Sequence, residues 1–199
     1  MKIFWFDVET TGLGPVKNDI WQIAFEIVID GELVATHEFK MRPTNMATIN
    51  PDALAIGGVT TQALEAFPPT VEVIPMIQSI LSKYVNKFQR EDKLTPAGYN
   101  IVHFDIPFLR ETFKKIGDKY YGSYFSNYAL DVYHMAIAAH ILVDDPLPKY
   151  KLVDVCAHHG ISLSGAHDAR FDIKATRELC NLLQDLYFKD PRKPVSIFF

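Results

Sequence analysis

Apolar and polar positions along the chain fall into a series of patterned segments separated by turn-forming residues. Residues 3–8 are a mostly apolar run broken by Asp7, and residues 20–29 and 33–39 are two more such runs joined across Asp30-Gly31, a strong hairpin signal. The pattern predicts three antiparallel strands at the start. Between Met41 and Thr70 the regularity stops, with prolines and glycines separating short helical pieces at 52–56 and 61–66, so this stretch should run over the surface and shape a cleft. Ile74, Ile77, Leu81, Tyr84, Val85 and Phe88 then recur at helical spacing after Thr70 as cap, with Pro75 tolerated only in or near the first turn. A short strand at 95–99 and a helix at 104–116 stopped by Gly117 complete a strand-helix alternation that predicts an α/β layer.

Tyr120, Tyr121, Tyr124, Phe125 and Tyr128 form an aromatic-rich loop, read as packing beneath the loop in preference to base stacking. Helices follow at 131–142 and at 151–158, the latter closed by Gly160. A last helix at 168–186 is expected to bury a stripe of Phe171, Ala175, Leu179, Leu182, Leu183 and Leu186. The tail, 187–199, carries two prolines and ends in Ile-Phe-Phe, which should dock on the same domain. At 199 residues, one domain spanning 1–199 is expected, without repeat, linker or low-complexity tract.

Composition narrows the class. With 48% apolar and 22% charged residues the chain is neither disordered nor collagenous. The first apolar run is too short for a secretory core or a membrane span, so a cytoplasmic location without membrane association is the expectation. Cys156 and Cys180 form no CxxC pattern and read as small buried apolar residues. A net charge of −4 argues against coating long duplex by phosphate neutralisation, while leaving room for an enzyme that holds a few nucleotides at one end.

Three segments carry candidate chemistry. In Asp7-Val8-Glu9 the two carboxylates are two positions apart on a strand, so they share a face. Asp7 interrupts a buried run and needs compensation, from an Arg or Lys or from divalent cations, which prefer carboxylate oxygen. Thr10-Thr11-Gly12-Leu13 adds hydroxyls, a tight turn and an apolar side chain. In Gly98-Tyr99-Asn100-Ile101-Val102-His103-Phe104-Asp105, Asp105 opens a helix, where an acid also serves as a cap or dipole partner. In Ala166-His167-Asp168-Ala169-Arg170-Phe171-Asp172 the histidine should belong to a loop and Asp172 to the second turn of the helix, suiting a mobile general base beside a fixed metal ligand. Spacing alone also allows Asp168 as the ligand.

Together, in this order, the segments resemble the DnaQ-like family of 3′-to-5′ exonucleases, in the subgroup marked by four acidic residues and a histidine; the resemblance runs from about residue 3 to 186. It implies a ribonuclease-H-like α/β fold with a mixed central sheet, three antiparallel strands first, flanked by helices. By resemblance, Asp7, Glu9, Asp105 and Asp172 would hold two divalent ions, Mg²⁺ or Mn²⁺, with His167 as general base; Asp168 loses its claim because the motif places the acid five after the histidine. Leu13 and Phe104 would pack on the terminal base, and Thr10 and Asn100 would touch the nucleotide or support the site. The segment 49–60 resembles a family loop that often carries histidine where Gly57 stands, so one substrate contact is expected to be missing.

The resemblance therefore implies hydrolysis at the 3′ end of single-stranded DNA or RNA with release of nucleoside monophosphates. Four carboxylates repel one another when empty, and two divalent ions balance them. A nucleic-acid end-binding module or polymerase proofreading subunit with weak catalysis, and a metal-stabilised structural domain, are the competing readings. At this level, recruitment by a DNA polymerase subunit and homodimerisation both stay open.

Overall fold

Strand β1 (Lys2–Thr10) is the middle member of a five-stranded sheet in the computed structural model, which describes residues 1–162 and 169–188. On one side it pairs antiparallel with β2 (Ile20–Ile29), which pairs antiparallel with β3 (Glu32–Lys40); on the other it runs parallel to β4 (Thr95–Gly98), which runs parallel to β5 (Leu130–Asp131). The mixed sheet with three antiparallel strands first is the expected one. Asp30 and Gly31 both take positive φ at the β2–β3 turn, the backbone that a tight hairpin demands.

Side chains alternate across a strand, so β1 feeds two cores. Phe4, Phe6 and Val8 join Ile23, Phe25 and Ile27 beneath helices α3 (Thr70–Leu81) and α4 (Asp105–Lys115). Three rings, Phe6, Phe25 and Phe125, crowd round Phe4 with centroids 4.9 to 5.2 Å away, and burying each such side chain stabilises the fold by about 1.5–3 kcal/mol. Trp5, on the opposite face, joins Ala24, Val28 and Ala97 under α6 (Val132–Leu142), α7 (Leu152–His158) and α8 (Ala169–Leu183). Asp7 and Glu9 continue the Trp5 row, toward the α8 layer. A smaller cluster of Trp21, Leu54 and Leu64 seats α1 (Pro51–Ile56) and α2 (Thr61–Ala66), the two short pieces expected in the irregular segment.

Several local expectations change. Helix α3 stops at Leu81, because Lys83 and Tyr84 donate three residues back, to Ile80 and Leu81, and Lys2 takes the Tyr84 carbonyl. Val85 is still buried by the turns that follow, whereas Phe88 is 88% exposed and leaves the stripe. Pro69 holds the cap position; Thr70 is already helical and donates its hydroxyl to the Arg42 carbonyl. Pro75 sits in the second turn, tolerated because the carbonyl it fails to satisfy belongs to Val71, itself largely in water.

The aromatic loop contains a one-turn helix, α5 (Tyr121–Tyr124), and the two-residue β5. Tyr124 and Phe125 are buried as packing predicts, and Tyr120 and Tyr128 are exposed. On α8 the buried row is Ala169, Ile173, Thr176, Cys180 and Leu183, with Ala175 and Leu179 beside it, and Phe171 lies outside it, half exposed. π-helical turns over Gln184–Phe188 end the described part, and the tail from 189 lies beyond it. Cys156 and Cys180 are free and buried. Among the described residues no helix is long and apolar enough to cross a membrane.

Candidate active site

The site forms where β1 runs out. Asp7 is in register with Ala24 and Glu9 with Gln22, and the pairing slips between Glu9 and Thr10 as the strand leaves the sheet. Thr11 then closes onto Asp19 through two backbone-directed bonds, its amide donating to the Asp19 carbonyl and its hydroxyl accepting the Asp19 amide, each at 2.9 Å. Asp19 is held in turn by Lys115 at 2.7 Å, the Thr44 hydroxyl and the Asn45 amide, so the loop after the acidic pair is fastened from α4 and from the segment beyond β3.

Asp105 arrives from the other side. It is the first residue of α4, yet it does not cap that helix: its carboxyl is buried and Oδ1 accepts the amide of Val8 at 3.0 Å, between the two strand acids. Gly98 makes this approach feasible, since a Cβ there would lie 2.8 Å from the Phe6 carbonyl oxygen and 2.4 Å from Cγ2 of Ile101. Asn100 adopts positive φ and its amide, with that of Val102, donates to Asp131 at 2.8 and 3.0 Å. Asp131 also caps α6 by accepting the Tyr133 amide at 3.1 Å.

Sequence reasoning missed Asp131, whose carboxylate shapes the loop leading to Asp105. The available signal, an aspartate opening an apolar helix, is that of any helix cap.

Asp172 comes from the first turn of α8, whose described part begins at Ala169. Two arginines, two turns apart, clamp that helix to the sheet: Arg177 pairs with Glu26 on β2, and Arg170 with Glu38 on β3 at 2.7 Å. With the buried row of α8 packed on the same face of the sheet, Asp172 acts electrostatically on Asp7. Burial first, and then the negative charges of Asp105, Asp172 and Glu9, push the Asp7 carboxyl well above the usual carboxylate range. Burial dominates at Asp105 too, opposed by amide donors and reinforced by Asp131 and Glu9, and its pKa stands at about 7. All four acids named from the sequence therefore share one electrostatic neighbourhood.

The remaining residues are placed as follows. Thr10 is buried and its hydroxyl donates to the Gly12 carbonyl at 2.8 Å, fixing the turn. Leu13 is 81% exposed just beyond that turn, and Phe104 packs partly on the core with its ring centroid 4.9 Å from that of Phe108. Gly57 faces the site: a Cβ there would lie 3.5 Å from Oε2 of Glu9 and 2.9 Å from Cζ2 of Trp21. His167 and Asp168 lie outside the described residues.

A cluster of carboxylates that raise one another's pKa is poised to take divalent cations through oxygen. Beside it, Tyr99, Asn100, Tyr133, Lys149, Tyr150 and Lys151 line an open cleft of about 560 Å³.

Comparison with known proteins bears on the same segments. Residues 4–180 match the RNase_T exonuclease family. The chain is 27% identical over 174 residues to a PolC-type DNA polymerase III of Caldanaerobacter subterraneus subsp. tengcongensis, aligning 87% of its length with 11% of that protein. It is 27% identical over 192 residues to exodeoxyribonuclease I of Escherichia coli, aligning 89% with 39%. Its fold is similar to that of E. coli Exonuclease I in complex with a dT13 oligonucleotide, with a TM-score of 0.76 at 24% identity over 92% of this chain and 41% of that one. The chain thus spans well under half of each of these relatives. A family match that begins in the central strand and ends in the last turns of α8, taking in every described acid of the cluster, makes this chain a member of the DnaQ-like exonuclease family.

Proposed function

We propose that the chain is a metal-dependent 3′-to-5′ exonuclease acting on single-stranded DNA ends and releasing nucleoside monophosphates. The observation that carries this reading is the convergence of Asp105, Asp172 and Glu9 on Asp7, which leaves a strongly negative site in want of cations. Asp7, Glu9, Asp105 and Asp172 would hold two divalent ions, Mg²⁺ or Mn²⁺. Such ions, when bound, supply charge stabilisation at the phosphate and favour the deprotonated form of an attacking water.

The chain's own groups do the rest. His167 would accept the water's proton, a role that imidazole suits near neutral pH. Leu13, exposed beyond the first turn, and Phe104 would grip the terminal base, and Thr10 and Asn100 would keep the two loops around it in shape. The cleft beside Asn100, with lysines 149 and 151 among tyrosines, suits phosphates and bases of the strand behind the terminal nucleotide. DNA is favoured over RNA because similar Exonuclease I was solved with a dT13 oligonucleotide.

A closed circular single strand tests the polarity. It offers every phosphodiester and no end, so metal-dependent degradation of linear but not circular DNA is expected, and equal cutting of both overturns the assignment. PolC-type relatives favour a second reading, recruitment of the chain to a polymerase for proofreading. Preference for a mispaired over a paired 3′ terminus, enhanced by a replicative polymerase, would support it.

A further inference from the structure

On the same face of the sheet, away from the carboxylates, three histidines meet where two helices end. Helix α6 closes at Asp144, which takes positive φ, as the amides of Asp144 and Asp145 return to the carbonyls of Ile141 and His140 at 3.2 and 3.0 Å. Helix α7 closes in the same way at Gly160, with Gly160 and Ile161 returning to Ala157 and Cys156. These two closures bring His140, in the last turn of α6, against His158 and His159 at the end of α7. Each ring offers a nitrogen, and the three lie within 4.8 Å of one another. Nε2 of His140 is 2.9 Å from Nε2 of His159, and Nε2 of His158 is 3.5 Å from Oδ2 of Asp145.

His140 is wholly buried, and its Nδ1 has no hydrogen-bond partner among the described residues, so what holds this ring in the interior acts through Nε2. Tyr150 and Tyr187 pack on the cluster, with centroids 5.6 and 6.2 Å from that of His140. Both helices point their carbonyl ends here, where partial negative charge favours a cation. A lone His–His hydrogen bond satisfies two rings and leaves the third to an exposed aspartate. Ligation gives each of the three rings a partner: imidazole nitrogens at ~2.0–2.1 Å from a tetrahedral ion stand roughly 3.3 Å apart, a spacing that small side-chain rotations reach from the one observed.

We propose that His140, His158 and His159, with Asp145 as fourth ligand, form a Zn²⁺ site that staples the end of α6 to the end of α7. Three nitrogens and one carboxylate select a borderline-soft ion, whereas the all-oxygen cluster around Asp7 selects a hard one, so the two sites differ in metal as well as in place.

The test uses the full chain carrying Asp7→Asn and Asp172→Asn, which disables the carboxylate cluster. This protein should retain one equivalent of zinc after gel filtration, measured by mass spectrometry. With Co²⁺ instead, it should show the intense visible absorption of a four-coordinate ion. On that background His158→Gln and His159→Gln, both at accessible positions, should each weaken Zn²⁺ binding by at least about tenfold with an unchanged circular dichroism spectrum. His158→Gln in the otherwise unaltered chain should leave nuclease activity unchanged. Absence of retained zinc, or equal retention with and without the histidines, overturns the site and reduces the cluster to a hydrogen-bonded pair.

Discussion

The amide of Val8 donates to Oδ1 of Asp105 at 3.0 Å, so the apolar residue between two strand acids anchors the third acid by its backbone while its side chain serves the opposite core. The spacing of the cluster is thereby fixed by main chain. Asp105→Asn keeps an oxygen for that amide and removes one negative charge. The variant should fold and should melt higher than the parent in EDTA at pH 8. Its metal-dependent nuclease rate should fall by roughly 10²-fold or more through loss of a ligand. Calorimetry with and without Mg²⁺, beside an end-labelled oligonucleotide assay, checks both halves.

Metal-free stability should depend on pH in a stated direction. Asp105 stands at about 7 and Asp7 is also raised, against an unfolded value of 3.8. A raised carboxyl contributes stability that is fully present below the unfolded pKa and is lost as pH rises through the folded one. In EDTA the melting temperature should therefore decline from about pH 4 to beyond pH 7, and Mg²⁺ should restore it above pH 7. A profile equally flat in EDTA and in Mg²⁺ would contradict the repulsive cluster.

Lys115 carries the loop after the acidic pair through its bonds to Asp19 and to the Asn18 carbonyl. Asp19 is almost fully buried, so Lys115→Met leaves its charge largely uncompensated and should cost about 3–5 kcal/mol in denaturant unfolding. Loss of less than 1 kcal/mol would show that the Thr44 and Asn45 donors suffice.

Gly57 has ordinary helical φ, so alanine there meets no backbone strain. Its Cβ would still crowd the Trp21 ring, and Gly57→Ala should lower stability by about 1–3 kcal/mol and shift tryptophan fluorescence. Gly57→His should destabilise more, because Trp21 occupies the space.

His167→Ala should lower turnover by roughly 10²- to 10⁴-fold while leaving Mg²⁺ and oligonucleotide binding intact. An unchanged pH–rate profile between pH 5 and 9 would assign the proton to another acceptor.

What the sequence disclosed depended on whether one physical rule acted alone. Alternation put Asp7 and Glu9 on one face, and the hairpin at Asp30-Gly31 followed from turn chemistry. Phe171 was assigned to a buried row because apolar character was the only guide, whereas packing against the sheet selects a row containing Thr176 and Cys180. Strand β5 has two residues and no period to detect. Arg170 and Arg177 carry no local sequence signal, because Glu38 and Glu26 come opposite them from strands far earlier in the chain.

That clamp has a consequence for how the protein is born. In synthesis Asp7 and Glu9 precede Asp172 by a delay on the order of ten seconds. Until α8 is made and its arginines find the sheet, the nascent chain lacks the fourth acid of the cluster. A site assembled in this order stays open until one late helix closes it.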